Sequence, residues 1–298
     1  MPTADADVLY IYPKEDHNGA FALCEDKGFI DGHMCFRLMS MARHFSVHFV
    51  RVASVQEAIA YVKALPSTMR LKHVVLGGHG MFRAMTWGNA SSQSQSFMPY
   101  LHVDEPTAIE FLNVLYPHLI IDGADSHDKY HSTIFLDSCN NGKPVKDKNM
   151  LNFVAHRLAG AEIFASQVSF NAGEFVLDNY IHFSASIKSE KTGKDEMIST
   201  MFGPHLRELE FHPNRFCKKK EPVAAENIKQ CAELCQAAGD KCGAFTYIPG
   251  DASGDSCFHS KRCKKRGKSE QGAMVFIKTA SGQEEDPAIM EDHTAEER

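Results

Sequence analysis

Two residues in the first half of the chain have the chemistry and the local sequence of a catalytic pair. His79 lies in VVLGGHG (74–80), directly after an apolar run, and Cys139 lies in IFLDSCNNG (134–142), directly after another. A thiolate is a strong nucleophile, and a neighbouring imidazole can raise the thiolate fraction or protonate a leaving amine. The backbone N–H groups of Gly80 and Cys139 could stabilise the oxyanion of a tetrahedral intermediate. These two segments therefore predict acyl-transfer chemistry.

The sequence around this pair alternates between strand and helix patterns. Strands are predicted at 7–12, 46–52, 71–78, 132–138 and 161–166, and helices at 33–45, 54–65, 107–119 and 148–160. Such alternation is typical of an α/β fold with a mostly parallel sheet covered by helices on both faces. Ligands bind beyond the carboxyl ends of parallel strands, so His79 and Cys139 should meet at one edge if their strands are neighbours.

The composition excludes several classes of protein. Hydrophobic residues make up 43% of the 298 residues, enough for a folded core. No apolar run could span a membrane, and the N-terminus has no classical secretory signal. Residues 217–280 carry 12 basic and 7 acidic side chains, whereas 281–298 carry 1 and 7. We expect 281–298 to be an acidic disordered tail, and we expect no cofactor, no metal and no nucleic-acid partner.

The cysteines are concentrated in the last third of the chain. Six of the nine are Cys217, Cys231, Cys235, Cys242, Cys257 and Cys263. An even, dense set in a short segment predicts a disulfide framework, which forms in an oxidising compartment. The chain is therefore expected to be secreted or otherwise exported. A zinc site is the alternative, because CAELC (231–235) is a C-x3-C pair and CFHSKRC (257–263) adds His259.

The first part of the chain resembles the caspase-like cysteine peptidases of clan CD, in which apolar strands end in Gly-His-Gly and in Asp-Ser-Cys. The resemblance covers about residues 5–190. It implies a caspase-like αβα sandwich with His79 as general acid and base and Cys139 as nucleophile. The N–H groups of Gly80 and Cys139 would form the oxyanion hole.

The expected substrate pocket follows partly from the residues and partly from the resemblance. Asp137 and Cys139 are two positions apart on one strand, so their side chains should share a face. Asp137 also matches the Asp that precedes the catalytic Cys in metacaspases, which cleave after Arg or Lys. Asp16 and His17, after the first strand, should border the same pocket. The alternatives are that Asp137 only bonds backbone amides and that the enzyme prefers Asn or a small apolar residue at P1.

The second part of the chain resembles a PAN/apple module over about residues 210–280. A predicted helix carries Cys231 and Cys235, and CGAFTY (242–247) and a late Cys257 follow. The resemblance implies a small disulfide-rich α+β module that binds proteins or glycans. It also implies the pairs Cys235–Cys242, Cys231–Cys257 and Cys217–Cys263. The basic run KRCKKRGK (261–268) could contact an acidic partner, or it could simply be a solvated face.

These features divide the chain into a peptidase domain at 1–209, a module at 210–280 and a tail at 281–298. We expect a cysteine endopeptidase that acts through a thioester acyl-enzyme on protein or peptide substrates and that could process itself. The alternative is an inactive caspase-like scaffold that binds proteins or glycans through its module. A third possibility is transfer of the acyl group to an amine, as in a transpeptidase or ligase.

Overall fold

The structure is a computed structural model. It describes residues 7–14, 21, 42–88, 100–121, 131–145, 148–169, 176–177, 185–187, 193–217, 221–251, 254–263 and 273–278. The strands are β1 (Asp7–Pro13), β2 (Ser46–Val52), β3 (Leu71–Gly77), β4 (His79–Met81), β5 (Ala84–Thr86), β6 (Tyr100–His102), β7 (Thr133–Asp137), β8 (Glu162–Ser166), β9 (Val176–Leu177), β10 (Ala185–Ser186), β11 (Met197–Met201), β12 (Glu210–Pro213), β13 (Glu221–Val223), β14 (Ala244–Asp251), β15 (Gly254–Ser260) and β16 (Met274–Ile277). The α-helices are α1 (Val55–Lys63), α2 (Pro106–Leu115), α3 (Met150–Arg157) and α4 (Ile228–Ala237).

A six-stranded sheet in the order β11-β8-β7-β3-β1-β2 forms the centre of the first part. Neighbouring strands are parallel except at one edge, where β11 runs antiparallel to β8. The α/β class with a mostly parallel sheet is thereby confirmed. The chain passes from β3 to β7 through α2, so two strands far apart in sequence are neighbours in the sheet.

Two helices of the first part begin after a polar residue whose side chain caps the first turn. Ser54 is the N-cap of α1, and its side chain accepts a hydrogen bond from the N–H of Glu57 at 3.2 Å. Glu57 Oε2 accepts the N–H of Ala53 at 3.0 Å, which satisfies a second exposed donor at this end. Asn149 caps α3 in the same way by accepting the N–H of Asn152 at 2.8 Å. The helix predicted at 54–65 is confirmed.

The central sheet has two faces with different coverings. Alternate strand residues such as Leu9 and Leu76 pack against α1, α2 and α3 on one face. The opposite face carries Tyr10, Tyr12 and Phe135, with Phe21 and Phe45 packed on them. The helix predicted at 33–45 falls largely outside the described residues, so a second helical layer stays a prediction.

The hairpin of β4 and β5 extends into a small antiparallel sheet with β6. This sheet was not predicted from the sequence, because its strands have three residues each and show little alternation. Because the small sheet begins at His79, its position determines where the side chain of the candidate general acid lies.

The second part is a five-stranded antiparallel sheet in the order β12-β16-β14-β15-β13, against which α4 packs. Three disulfides among the described residues connect Cys217 with Cys263, Cys231 with Cys257, and Cys235 with Cys242. These pairs are the ones that the PAN/apple resemblance implied. The cysteine sulfurs that the zinc alternative requires are bonded to each other in these disulfides. Three disulfides are consistent with an extracellular protein.

One hydrophobic cluster runs through both parts. His156, near the end of α3, stacks on Phe211 of β12 with ring centroids 5.0 Å apart. Phe276 of β16 lies 5.0 Å from Phe211 and 5.6 Å from Phe202, which follows β11. The second part is therefore packed onto α3 and β11 rather than merely tethered. No helix among the described residues is long and apolar enough to cross a membrane, and the predicted tail lies outside them.

Candidate active site

The two strands that precede His79 and Cys139 are parallel neighbours. Gly77, the last residue of β3, is the Cα partner of Asp137, the last residue of β7. The N–H of Gly78 donates to the carbonyl of Asp137 at 3.1 Å, which extends the ladder by one step. His79 and Cys139 each lie two positions beyond the Gly77–Asp137 pair. Both residues therefore leave the sheet at the same edge and from adjacent strands.

Gly80 brings the backbone after His79 into contact with the nucleophile segment. A Cβ built on Gly80 would lie 1.9 Å from Ser138 Oγ, 2.5 Å from the carbonyl oxygen of Cys139 and 2.9 Å from its nitrogen. Those distances are far below van der Waals contact, so only glycine fits at this position without displacement. The Gly80 backbone therefore packs directly on the Ser138–Cys139 peptide.

His79 is the first residue of β4 and is half-buried. The ring of Phe21 meets the imidazole edge-to-face, with centroids 5.4 Å apart. Phe21 in turn lies 5.5 Å from the ring of Tyr12. The imidazole is thus bordered by an aromatic wall that continues onto the sheet face carrying Tyr12.

Cys139 is half-buried and, among the described cysteines, is the one outside the disulfides. It is followed by Asn140, whose φ of 60° lies in the left-handed region that asparagine tolerates better than most residues. The N–H of Asn140 donates to the carbonyl of Val168 at 3.1 Å, and the N–H of Gly142 donates to that of Ser166 at 2.8 Å. The turn that carries the thiol is therefore attached to the end of β8.

Asp137 is buried at the end of β7, with 1% of its surface exposed. Its Oδ2 accepts a hydrogen bond from the hydroxyl of Tyr12 at 2.7 Å. The carboxylate therefore bonds a side chain of β1, and not only backbone amides. Asp16 and His17, the other residues predicted for the pocket, lie outside the described residues.

The hairpin after His79 divides into buried and exposed residues. Trp87 is fully buried, and its Nε1 donates to the carbonyl of Gly77 at 3.0 Å. Met81 and Phe82 are 57% and 40% exposed at the hairpin tip. Trp87 thus belongs to the core beneath the site, whereas the other two side chains are open to solvent beside it.

Three residues at the site were missed by the sequence analysis: Tyr12, Phe21 and Asn141. Tyr12 could have been found, because it ends a predicted strand at the carboxyl edge where ligands bind. Asn141 gave only a turn signal in CNNG, since its contacts involve residues about 60 positions away. Phe21 had no local signal of any kind.

Neither the family models nor the curated proteins that were searched match this chain.

Proposed function

We propose that this protein is a cysteine endopeptidase of caspase-like fold in which Cys139 is the nucleophile and His79 the general acid and base. The observation that carries the proposal is the contact between the Gly80 backbone and the Ser138–Cys139 peptide. The parallel pairing of Gly77 with Asp137 is what brings these segments together. The mostly parallel sheet with packed helices supports the caspase-like part of the proposal.

Each residue has one task in the reaction that we propose. The Cys139 thiolate adds to the scissile carbonyl carbon, and the electron pair of the double bond moves to oxygen. The N–H groups of Gly80 and Cys139 stabilise this oxyanion, each donor being worth roughly 3–4 kcal/mol in known oxyanion holes. Collapse breaks the C–N bond while His79 protonates the leaving amine, and a thioester remains. Water activated by His79 then hydrolyses the thioester.

We also infer that the P1 residue is Lys or Arg. A P1 side chain must enter beside the nucleophile, and Asp137 is a buried carboxylate two positions before Cys139. Away from bulk water the attraction between a carboxylate and a cation is less screened, and an acidic P1 side chain is repelled. The Tyr12 hydroxyl fixes the orientation of the carboxyl group. The buried carboxylate of Asp137 and its fixed orientation support a basic rather than an acidic P1 residue.

The proposal is tested by trapping the nucleophile. An acyloxymethyl ketone peptide with Arg at P1 should alkylate Cys139, and peptide mapping by mass spectrometry locates the adduct. Cys139→Ala should give no adduct at that peptide and no peptidase activity while unfolding at nearly the same temperature. His79→Ala should lower kcat by about 10²–10⁴-fold. The matched control is His102→Ala, because His102 is a half-exposed histidine in the same small sheet.

Each outcome of this experiment separates the candidate functions. Full activity of Cys139→Ala would rule out the proposed dyad. Lack of both adduct and activity in the wild type would favour the inactive scaffold that binds proteins or glycans. Products ligated to an added amine, in place of hydrolysed products, would indicate a transpeptidase or ligase.

A further inference from the structure

Asn141 connects the turn that carries Cys139 with the hairpin that carries His79. Its side chain is fully buried. The amide nitrogen Nδ2 donates to the carbonyl of Met81 at 2.7 Å and to the carbonyl of Ala84 at 3.2 Å. These two carbonyls flank the tip of the β4–β5 hairpin, so one side chain uses both of its N–H donors to hold both arms.

The hairpin needs such a connection because it leaves the central sheet. The bond from Gly78 to Asp137 is the last step of the ladder between β3 and β7. From His79 onward the chain pairs with β5 in a separate sheet. The position of the imidazole relative to the thiol therefore depends on contacts beyond that ladder. One is the packing of Gly80, and another is the pair of bonds from Asn141.

Asn141 is itself held in place by its backbone. Its carbonyl accepts the N–H of Leu151 in the first turn of α3 at 3.1 Å. The preceding N–H of that helix start, from Met150, donates to the carbonyl of Phe82 at 2.8 Å. The start of α3, the nucleophile turn and the hairpin tip thus form one hydrogen-bonded unit, and Asn141 supplies the side chain at its centre.

We propose that Asn141 is a positioning residue that holds His79 at its working distance from Cys139; this inference rests on the proposed peptidase function. Asn141 acts through the hairpin and has no role in bond making. Removing its amide leaves the carbonyls of Met81 and Ala84 without these donors and frees the hairpin tip. Displacements of about 1 Å in an active site can cost on the order of 100-fold in rate. The loss should therefore appear in kcat rather than in KM.

The test compares Asn141→Ala with Ser132→Ala. Ser132 is also a fully buried polar residue with two side-chain hydrogen bonds, because its Oγ donates to the carbonyl of Leu71 at 2.6 Å and accepts the N–H of Ile120 at 2.7 Å. Leu71 begins β3, so these bonds lie at the end of the strand away from His79. Both variants remove two hydrogen bonds of a buried side chain, so both should lower the unfolding temperature. We expect Asn141→Ala to lower kcat about 100-fold with KM changed less than about threefold. Ser132→Ala should keep kcat within about threefold of wild type.

A second readout does not require turnover. The rate at which iodoacetamide alkylates Cys139 at pH 7 is measured for wild type, His79→Ala, Asn141→Ala and the double variant. We expect both single variants to slow alkylation, and the double variant to react no more slowly than His79→Ala, because the two residues act through one effect. If Asn141→Ala does not fold, Asn141→Ser replaces it; its hydroxyl can donate one bond and should give an intermediate rate.

The outcomes distinguish this inference from the function on which it rests. If His79→Ala slows alkylation but Asn141→Ala matches the wild type in alkylation and kcat, the positioning role is wrong and the dyad stands. Additive slowing in the double variant would also overturn the positioning role. If His79→Ala leaves both alkylation and turnover unchanged, the dyad itself is wrong, and the inference is lost with it.

Discussion

The hydroxyl of Tyr12 reaches Asp137 Oδ2 at 2.7 Å by crossing over Gly77. The register of β1 and β3 pairs Ile11 with Leu76, which brings Tyr12 beside Gly77, and Gly77 pairs with Asp137. A Cβ on Gly77 would lie 2.1 Å from the Tyr12 ring. Because Gly77 has no side chain, Tyr12 of β1 has room to contact Asp137 at the end of β7, the strand that precedes the nucleophile.

The contact between Tyr12 and Asp137 predicts different effects for a substitution at each of the two residues. Asp137→Asn should abolish the preference for Arg over uncharged P1 residues, because it removes the carboxylate. Tyr12→Phe should keep that preference but cost about 1–3 kcal/mol of stability, because a buried acceptor loses its donor. Fluorogenic peptides varied only at P1, together with urea unfolding, measure both effects. Tyr61→Phe on α1 is the control for loss of a tyrosine hydroxyl away from the site.

The basic P1 inference fails if wild-type enzyme prefers Asp, Asn or Leu over Arg. It also fails if Asp137→Asn retains the wild-type ratio of kcat/KM between Arg and Leu substrates. An Arg preference lost in Tyr12→Phe as well would mean that the hydroxyl, not only the charge, is needed for recognition.

Gly80→Ala should abolish most activity. The added methyl group would overlap Ser138 Oγ and the backbone of Cys139, so the hairpin must move away from the nucleophile turn. We expect kcat to fall by at least about 100-fold, since both the imidazole and one oxyanion donor are displaced. Steady-state kinetics with a P1 Arg substrate measures this.

The partner variant Ser138→Gly removes the nearest of the clashing atoms but leaves the backbone of Cys139 in place. The double variant Gly80→Ala/Ser138→Gly should therefore stay largely inactive. Restored activity would show that the side chain of Ser138, not the Cys139 peptide, excludes a larger residue at position 80.

Phe276→Ala should destabilise the whole molecule and not only the second part. Phe276 is fully buried and touches rings from both parts, including His156 at 6.2 Å and Phe245 at 4.9 Å. Truncating a buried phenylalanine typically costs about 3–5 kcal/mol. Calorimetry should show one transition at a lower temperature, with peptidase activity lost in the same transition.

The control is Phe258→Ala, a half-buried residue of β15 outside the shared cluster, which should cost less. Two separate transitions in the wild type, with Phe276→Ala shifting only one, would show that the parts unfold independently.

Stability should decrease as the pH falls from about 6.5 to 4. Burial, aided by the positive charges of Arg157 and Lys148, lowers the pKa of His156 from 6.5 to about 4. Its Nε2 donates to the carbonyls of Leu209 at 2.8 Å and Leu206 at 3.1 Å, which opposes but does not cancel that effect.

The sign follows from proton uptake. The unfolded chain binds a proton at this histidine below pH 6.5 and the folded chain does so only near 4, so unfolding is favoured as pH drops through this window. Between pH 7.5 and pH 5 we expect a loss of about 2 kcal/mol from this residue. Urea unfolding of wild type and His156→Gln measures it.

His156→Gln should show a shallower pH dependence than wild type. Some dependence should remain, because burial also lowers the pKa of His205. An unchanged slope in His156→Gln would assign the pH dependence to other groups.

The sequence alone determined the elements whose signals are local. The apolar runs before His79 and Cys139 are strands because buried parallel strands need apolar side chains on both faces. Ser54 starts a helix because its oxygen and that of Glu57 satisfy N–H groups within four residues. The six cysteines indicated disulfides through their density alone.

Only the tertiary structure decided which residues meet at the site. Tyr12 and Asp137 are 125 positions apart, and Asn141 and Met81 are 60 apart. Contacts at such separations depend on strand order and on where the chain leaves a sheet, and neither property appears in residue periodicity. The packing of the second part onto α3 is of the same kind, because Phe211 and Phe276 could equally have been core residues of an independent module.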